Sequence, residues 1–227
     1  MKSLKPVFYA LLGISILTLG SCGPKYILEE QEDYTLVLNQ GGETLGYAPA
    51  SGVILIENKG YAFKDLNKNG ELDAYEDWRL PVEDRIANLI GQMSVEQMAG
   101  LMLYSAHQSV PSGGGGRFGA TYNGKPFAES GAAPSDLSDA QIKFLTDDNL
   151  RHVLVTSVQS PAVAAEWNNK MQTLVEGIGL GIPANTSSDY HGFGHPYRVT
   201  VPPDTKHVAL RVRAEGSACR RPGAGPN

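Results

Sequence analysis

Apolar positions along the chain recur at two spacings, and each predicts a different element. Val82, Ile86, Leu89, Ile90 and Met93 return every three or four residues, the period of a helix with one apolar face, and Pro81 suits its first turn. That face is expected to be buried. Ser94 followed by Gln97 has the form of a capping box, so a second helix is predicted from there to about Met102. Residues 139–150 also read as helical. Residues 152–158 (HVLVTSV) are short, β-branched and apolar, the pattern of a buried strand. Ser160 and Pro161 then form an N-cap and a first helical position. Val163, Trp167, Met171 and Leu174 line one side of the helix that follows, and Gly177 can end it. A second strand is predicted over residues 178–183. Strand, helix and strand joined by short turns make a βαβ unit with parallel strands, which implies a doubly wound sheet or an α/β barrel.

Earlier in the chain, apolar residues alternate over 34–38 and form a compact run over 53–56. These read as a tether passing into a small β preface across residues 22–58, or as an extended linker lying over the next domain. Between the two groups of helices, residues 105–138 are rich in turn formers and include four consecutive glycines, Gly113 to Gly116. A long loop is expected. The glycines lack the preceding strand and the Lys and Ser/Thr of a phosphate-binding loop. His107, isolated among polar residues, reads as a hydrogen-bonded structural histidine.

Residues 65–76, DLNKNGELDAYE, carry the clearest chemistry. They match a calcium-binding EF-hand loop at each ligand position: Asp65, Asn67 and Asn69 at the first, third and fifth, Glu71 at the seventh through its carbonyl, Asp73 at the ninth and Glu76 at the twelfth. Gly70 occupies the turn position. The predicted cofactor is a structural Ca2+, held in a segment spanning residues 59–80. There is one such loop, and residues 60–63 before it look like a strand or turn where an EF-hand has a helix. A structural clip between the β preface and the helix after Pro81 is therefore expected, and not a calcium sensor.

Composition narrows the class. The chain has 227 residues, 41% of them hydrophobic, and a formal charge of -5. That supports a packed core and argues against a nucleic-acid footprint, which needs a surplus of Lys and Arg on one face. At the amino end, Lys2 and Lys5 precede an apolar run over residues 7–19 that is too short to span a bilayer. Leu19, Gly20, Ser21 and Cys22 follow as a bacterial lipobox. Residues 1–21 thus read as a lipoprotein signal peptide, with Cys22 as the lipidation site. Gly23 next to it favours the outer membrane, on its periplasmic or cell-surface side. Cys219 is then left without a partner.

The ordered motifs resemble one family. GYAFKDLNKNGELDAYEDWRLPVEDRIANLIGQMSVEQMAGLMLYSAHQS, then NGKPF, FLTDDNLRHVLVTSV, SPAVAAEWNN and GLGIPANTSSD are similar to the opening of glycoside hydrolase family 3, the β-glucosidase family, and most similar to lipid-anchored Bacteroides-type members. The resemblance covers roughly residues 53–192. It implies that residues 81–192 begin a (β/α)8 TIM-type barrel, and that the substrate is a β-linked oligosaccharide or glycoside cleaved with retention. It also implies that the nucleophile and acid/base carboxylates come from segments this chain lacks, so the chain is expected to be an inert amino-terminal piece. Its rival is a calcium-stabilised surface-binding module without catalysis.

From its residues alone, Asp189 reads either as a sugar-binding acid at the rim of a parallel sheet or as a turn residue capping a helix. By resemblance, Asp189 and His191 would hold the sugar. The family segment has two residues between the aspartate and its His-Gly pair, and this chain has only Tyr190. Residues 193–227 hold six Lys or Arg against two acids, whereas residues 22–192 hold eleven against twenty-two. The tail reads as a frameshifted or foreign junction, or as a divergent basic tail.

Overall fold

The computed structural model describes residues 23–112 and 120–188. Over these the protein is a mixed α/β chain: an antiparallel β preface, a pair of helices, and a parallel sheet with crossover helices. None of the described helices is long and apolar enough to cross a membrane.

Strands β1 (Tyr26–Glu30), β2 (Thr35–Asn39) and β3 (Thr44–Tyr47) form an antiparallel sheet in that order. Pairing therefore begins at Tyr26, within the segment expected to start as a tether. Alternate residues of β2 turn inward, and Val37 is fully buried between Leu28 and Leu45 of its neighbours. After a 3-10 turn at Pro49–Ser51, β4 (Ile54–Asn58) and β5 (Tyr61–Asp65) make a hairpin. Its two turn residues, Lys59 and Gly60, both have positive φ, which matches the twist of the flanking strands. Asn39 fastens the sheet to the hairpin: its amide donates to the Ala62 carbonyl at 3.2 Å and accepts from the Ala62 N–H at 2.8 Å. Trp78 stacks on Phe63 with ring centres 5.3 Å apart and meets Tyr61 edge-on.

Helices α1 (Val82–Gln92) and α2 (Val95–Leu101) lie where the pattern predicts them. The capping box of α2 is present, with Ser94 and Gln97 bonded reciprocally. Pro81 is the N-cap of α1, one position before its first turn. The expected burial of the α1 face is not found: Val82, Ile86 and Ile90 are 59%, 49% and 51% exposed. Leu89 and Met93 are half-buried and no residue of α1 is fully buried, so periodicity correctly gave the helix but not its partner.

Short elements interrupt the expected 105–138 loop: β6 (Gln108–Val110), the β7 (Thr121–Tyr122) and β8 (Lys125–Pro126) hairpin, and the single turn α3 (Phe127–Ser130). Then come α4 (Asp139–Thr146), β9 (His152–Val158), α5 (Pro161–Glu176) and β10 (Asn185–Ser188). Helix α4 stops short of Leu150 because Asn149 takes φ +53, after which Leu150 turns into the core. The second strand of the βαβ unit is not at 178–183. Gly179 and Gly181 adopt positive φ and make turns there, and pairing with β9 begins at Asn185, opposite His152.

Strands β6, β9 and β10 are parallel neighbours in sequence order. Trp167, Met171 and Val175 of α5 pack with Val153 and Val155 of β9, Val110 of β6, and Leu145 and Leu150. Each such buried aliphatic side chain contributes about 1.5–3 kcal/mol relative to exposure.

Candidate metal loop and sheet rim

The 65–76 loop leaves β5 at its last residue, so Asp65 is fully buried where the strand ends. Its two carboxylate oxygens accept from the N–H groups of Asn69 at 3.1 Å and Gly70 at 2.9 Å. Gly70 can meet that oxygen because it holds φ +79, a conformation other residues avoid. Asn67 and Asn69 repeat the device, accepting from Asn69 N–H and Glu71 N–H. Both amides also donate to one oxygen of Asp73, at 2.7 and 2.9 Å. Glu76 closes the loop from the far end: it accepts from Leu66 N–H at 2.6 Å and Asp73 N–H at 3.0 Å.

Burial dominates the electrostatics. It raises the Glu76 carboxyl above the usual glutamate range, against the opposing pull of the N–H donors from Asp73, Leu66 and Asn67. Burial also raises the Tyr75 phenol, and the neighbouring Glu76 carboxylate adds to the effect. The Tyr75 hydroxyl is buried and has no hydrogen-bond partner apart from that carboxylate.

By donor chemistry the loop fits a hard cation: carboxylates from Asp65, Asp73 and Glu76, amide oxygens from Asn67 and Asn69, and the Glu71 carbonyl. Among the described residues no three acid, His or Cys side chains are gathered at metal-binding distance. Holding an ion would require the two asparagine amides to present oxygen where they now present Nδ2 to Asp73.

The surroundings place this loop on one end of the parallel sheet. Lys68 points out of it and donates to the carbonyls of Gly177 at 2.7 Å and Ser51 at 2.9 Å. A Cβ added to Gly181 would lie 2.9 Å from Leu66, so the turn after α5 packs directly on the loop. Helix α5 ends there and leads to the amino end of β10. The loop therefore sits on the side opposite the carboxyl ends of the strands. On its other flank, Tyr75 donates its N–H to Asn88 of α1 and accepts from Arg85, which joins hairpin, loop and helix.

At the carboxyl ends, Gln141 is almost completely buried and braces the rim. Its amide donates to Ser112 Oγ at 2.8 Å and Gln108 Oε1 at 3.2 Å, and accepts from Trp167 Nε1 at 3.2 Å. The Tyr122 hydroxyl accepts from Ser112 N–H and donates to its carbonyl. Burial raises the Tyr122 phenol. The sequence reading missed this network. Its signal was available, because Ser138 and Gln141 repeat the capping-box spacing of Ser94 and Gln97. The residues that follow β6 and β9, Pro111, Ser112, Gln159 and Ser160, carry no carboxylate.

Of the residues singled out in the sequence, Asp65, Asn67, Asn69, Asp73 and Glu76 are linked by hydrogen bonds within the loop, and Glu71 joins them only through its N–H. Asp189, His191 and Cys22 lie outside the described residues, and β10 ends one position before Asp189. His107 is exposed just before β6.

No protein-family model matches the chain. It is 38% identical over 139 residues to a periplasmic beta-glucosidase/beta-xylosidase of Dickeya chrysanthemi, a match that covers 61% of this chain and 19% of that relative. The matched part thus spans under a fifth of the relative's length. The match agrees with the resemblance to glycoside hydrolase family 3: over 139 residues the chain is similar to a beta-glucosidase/beta-xylosidase.

Proposed function

We propose that the chain supplies the opening βα units of a β-glucosidase-type glycoside hydrolase barrel, with a β-linked glycoside as the substrate of the complete active site. The 139-residue match to a beta-glucosidase/beta-xylosidase carries this reading. The order of β6, β9 and β10, parallel and each beside its sequence neighbour, agrees with the winding of an α/β barrel. Retaining cleavage needs two carboxyl groups about 5–5.5 Å apart at the rim. The described residues following β6 and β9 offer none, so the reading assigns both carboxylates elsewhere and expects this chain to be inert alone.

In the same reading, Asp189 and His191 hold the nonreducing sugar. The end of β10 at Ser188 supports this, because it puts position 189 directly after a strand's carboxyl end in the sequence. Cys22 carries the lipid that anchors the chain to the outer membrane. The periplasmic description of the relative is compatible with that side of the cell envelope.

The test is an assay of the purified chain on aryl β-glucoside and aryl β-xyloside. No turnover above the blank is expected, with weak glucoside binding that Asp189→Ala removes. Enzyme-like turnover would overturn the inert reading. Binding to a polymer that needs calcium and ignores Asp189 would favour a surface-binding module instead.

A further inference from the structure

The residues of the 65–76 loop present an unbalanced charge problem. Asp65 is fully buried and Glu76 is 5% exposed, yet neither forms a salt bridge among the described residues. Buried carboxylates in proteins are paired with cations or coordinate metals. The one lysine of the loop, Lys68, is directed away from them to the Ser51 and Gly177 carbonyls. A separate observation points the same way. Tyr75 is 6% exposed, and its buried hydroxyl has no hydrogen-bond partner apart from the Glu76 carboxylate it is set against. A buried hydroxyl beside a carboxylate is suited to bonding a water or ligand oxygen held at that carboxylate.

We propose that the loop binds one calcium-sized divalent cation through Asp65, Asn67, Asn69, the Glu71 carbonyl, Asp73 and Glu76, and that binding stiffens the carboxyl end of α5 through Lys68. The cation neutralises the carboxylates. The asparagine amides turn their oxygens inward, and the Tyr75 hydroxyl bonds an ion-bound water. Closing the loop around the ion fixes the backbone of Lys68, and with it the bonds to Ser51 and Gly177. The ion lies on the side away from the carboxyl ends of the strands, so its part is structural. This inference does not depend on the glycosidase reading.

The experiment uses the full chain, stripped with chelator and titrated calorimetrically with calcium to roughly 10 mM, above the 10⁻⁴–10⁻³ M range of extracellular calcium modules. One site per chain is expected, with a higher melting temperature and slower amide exchange at residues 177–184. Glu76→Gln should abolish the heat. Because that variant removes an acceptor for Leu66 and Asp73 and can unfold the loop, Tyr75→Phe serves as a second variant that leaves the backbone bonds to Glu76 in place. It should bind calcium about tenfold more weakly, the usual cost of losing an outer-shell partner. Lys68→Met should keep the heat but lose the exchange protection at residues 177–184. No heat from the folded chain, heat undiminished in Glu76→Gln, unchanged affinity in Tyr75→Phe, or magnesium displacing calcium at equal concentration would each overturn the proposal.

Discussion

Lys64 Nζ lies 2.7 Å from Glu176 Oε1, and this ion pair joins the last strand of the β preface to the last residue of α5. The two positions are 112 apart in the chain. Glu176 is 4% exposed and its other oxygen accepts the Ala48 N–H at 3.1 Å, while Lys64 also donates to the Gly46 carbonyl. Lys64→Met leaves the Glu176 charge buried without its cation and should cost about 3 kcal/mol, the penalty for breaking a buried pair from one side. Adding Glu176→Gln should recover part of that loss. Urea unfolding of the two single variants and the double variant measures the coupling, and additive losses would show that the pair does not hold the preface to α5.

Gly100 in α2 faces the turn before β9 so closely that an added Cβ would lie 2.5 Å from the Asn149 carbonyl oxygen. That neighbour is backbone, and Asn149 is already held at φ +53, so it has little freedom to yield. Gly100→Ala should therefore destabilise by about 1–3 kcal/mol, as overpacking does, despite the better helix propensity of alanine. A lowered urea midpoint with an unchanged slope is the expected result.

These two contacts show where the sequence was informative. Local signals were legible: the boxes that start α2 and α4, the Ser160–Pro161 start of α5, and the β-branched run of β9 all lie where pattern and capping chemistry place them. The turn of the 65–76 loop was legible from spacing, because Gly70 stands at the turn position and takes φ +79. What the sequence did not reveal depends on distant partners. Nothing near Lys64 names Glu176, and nothing near Gln141 names Trp167 or Ser112. The second parallel strand was misplaced for a local reason: Ile178 and Ile182 are apolar, but the positive φ of Gly179 and Gly181 bends the segment into turns before pairing begins.

Acid should weaken the contact between α5 and the segment before α4. Lys170 Nζ bonds Asp136 at 2.6 Å, and with the Ala133 N–H it holds that carboxyl below the usual aspartate range. The folded-state value is depressed, so the contribution is present above the ordinary aspartate pKa and is lost as pH falls through the folded value. Both side chains are more than a third exposed, so the contribution is at most about 1 kcal/mol after screening. Asp136→Asn should lower stability at neutral pH by that amount or less. The gap between wild type and variant should close as pH falls from about 6 to below about 3, across the range where aspartate titrates. A gap independent of pH would assign the effect to packing.

The bare face of α1 leads to the last prediction. Val82, Ile86 and Ile90 stand on one side of the helix, and Val95 and Met98 of α2, with Met102 at its C-cap, add further exposed apolar surface. Polar contacts from Arg85 and Asn88 to Tyr75 hold α1 in place, and these do not involve the apolar side. Replacing Ile86 and Ile90 with lysine should therefore leave the melting temperature nearly unchanged, because no described packing is lost. Self-association should fall, because contiguous apolar patches of this kind drive association. Light scattering against concentration, beside thermal unfolding, separates the two effects. A large loss of stability would mean that the face is covered in solution, and unchanged association would mean that another surface drives it.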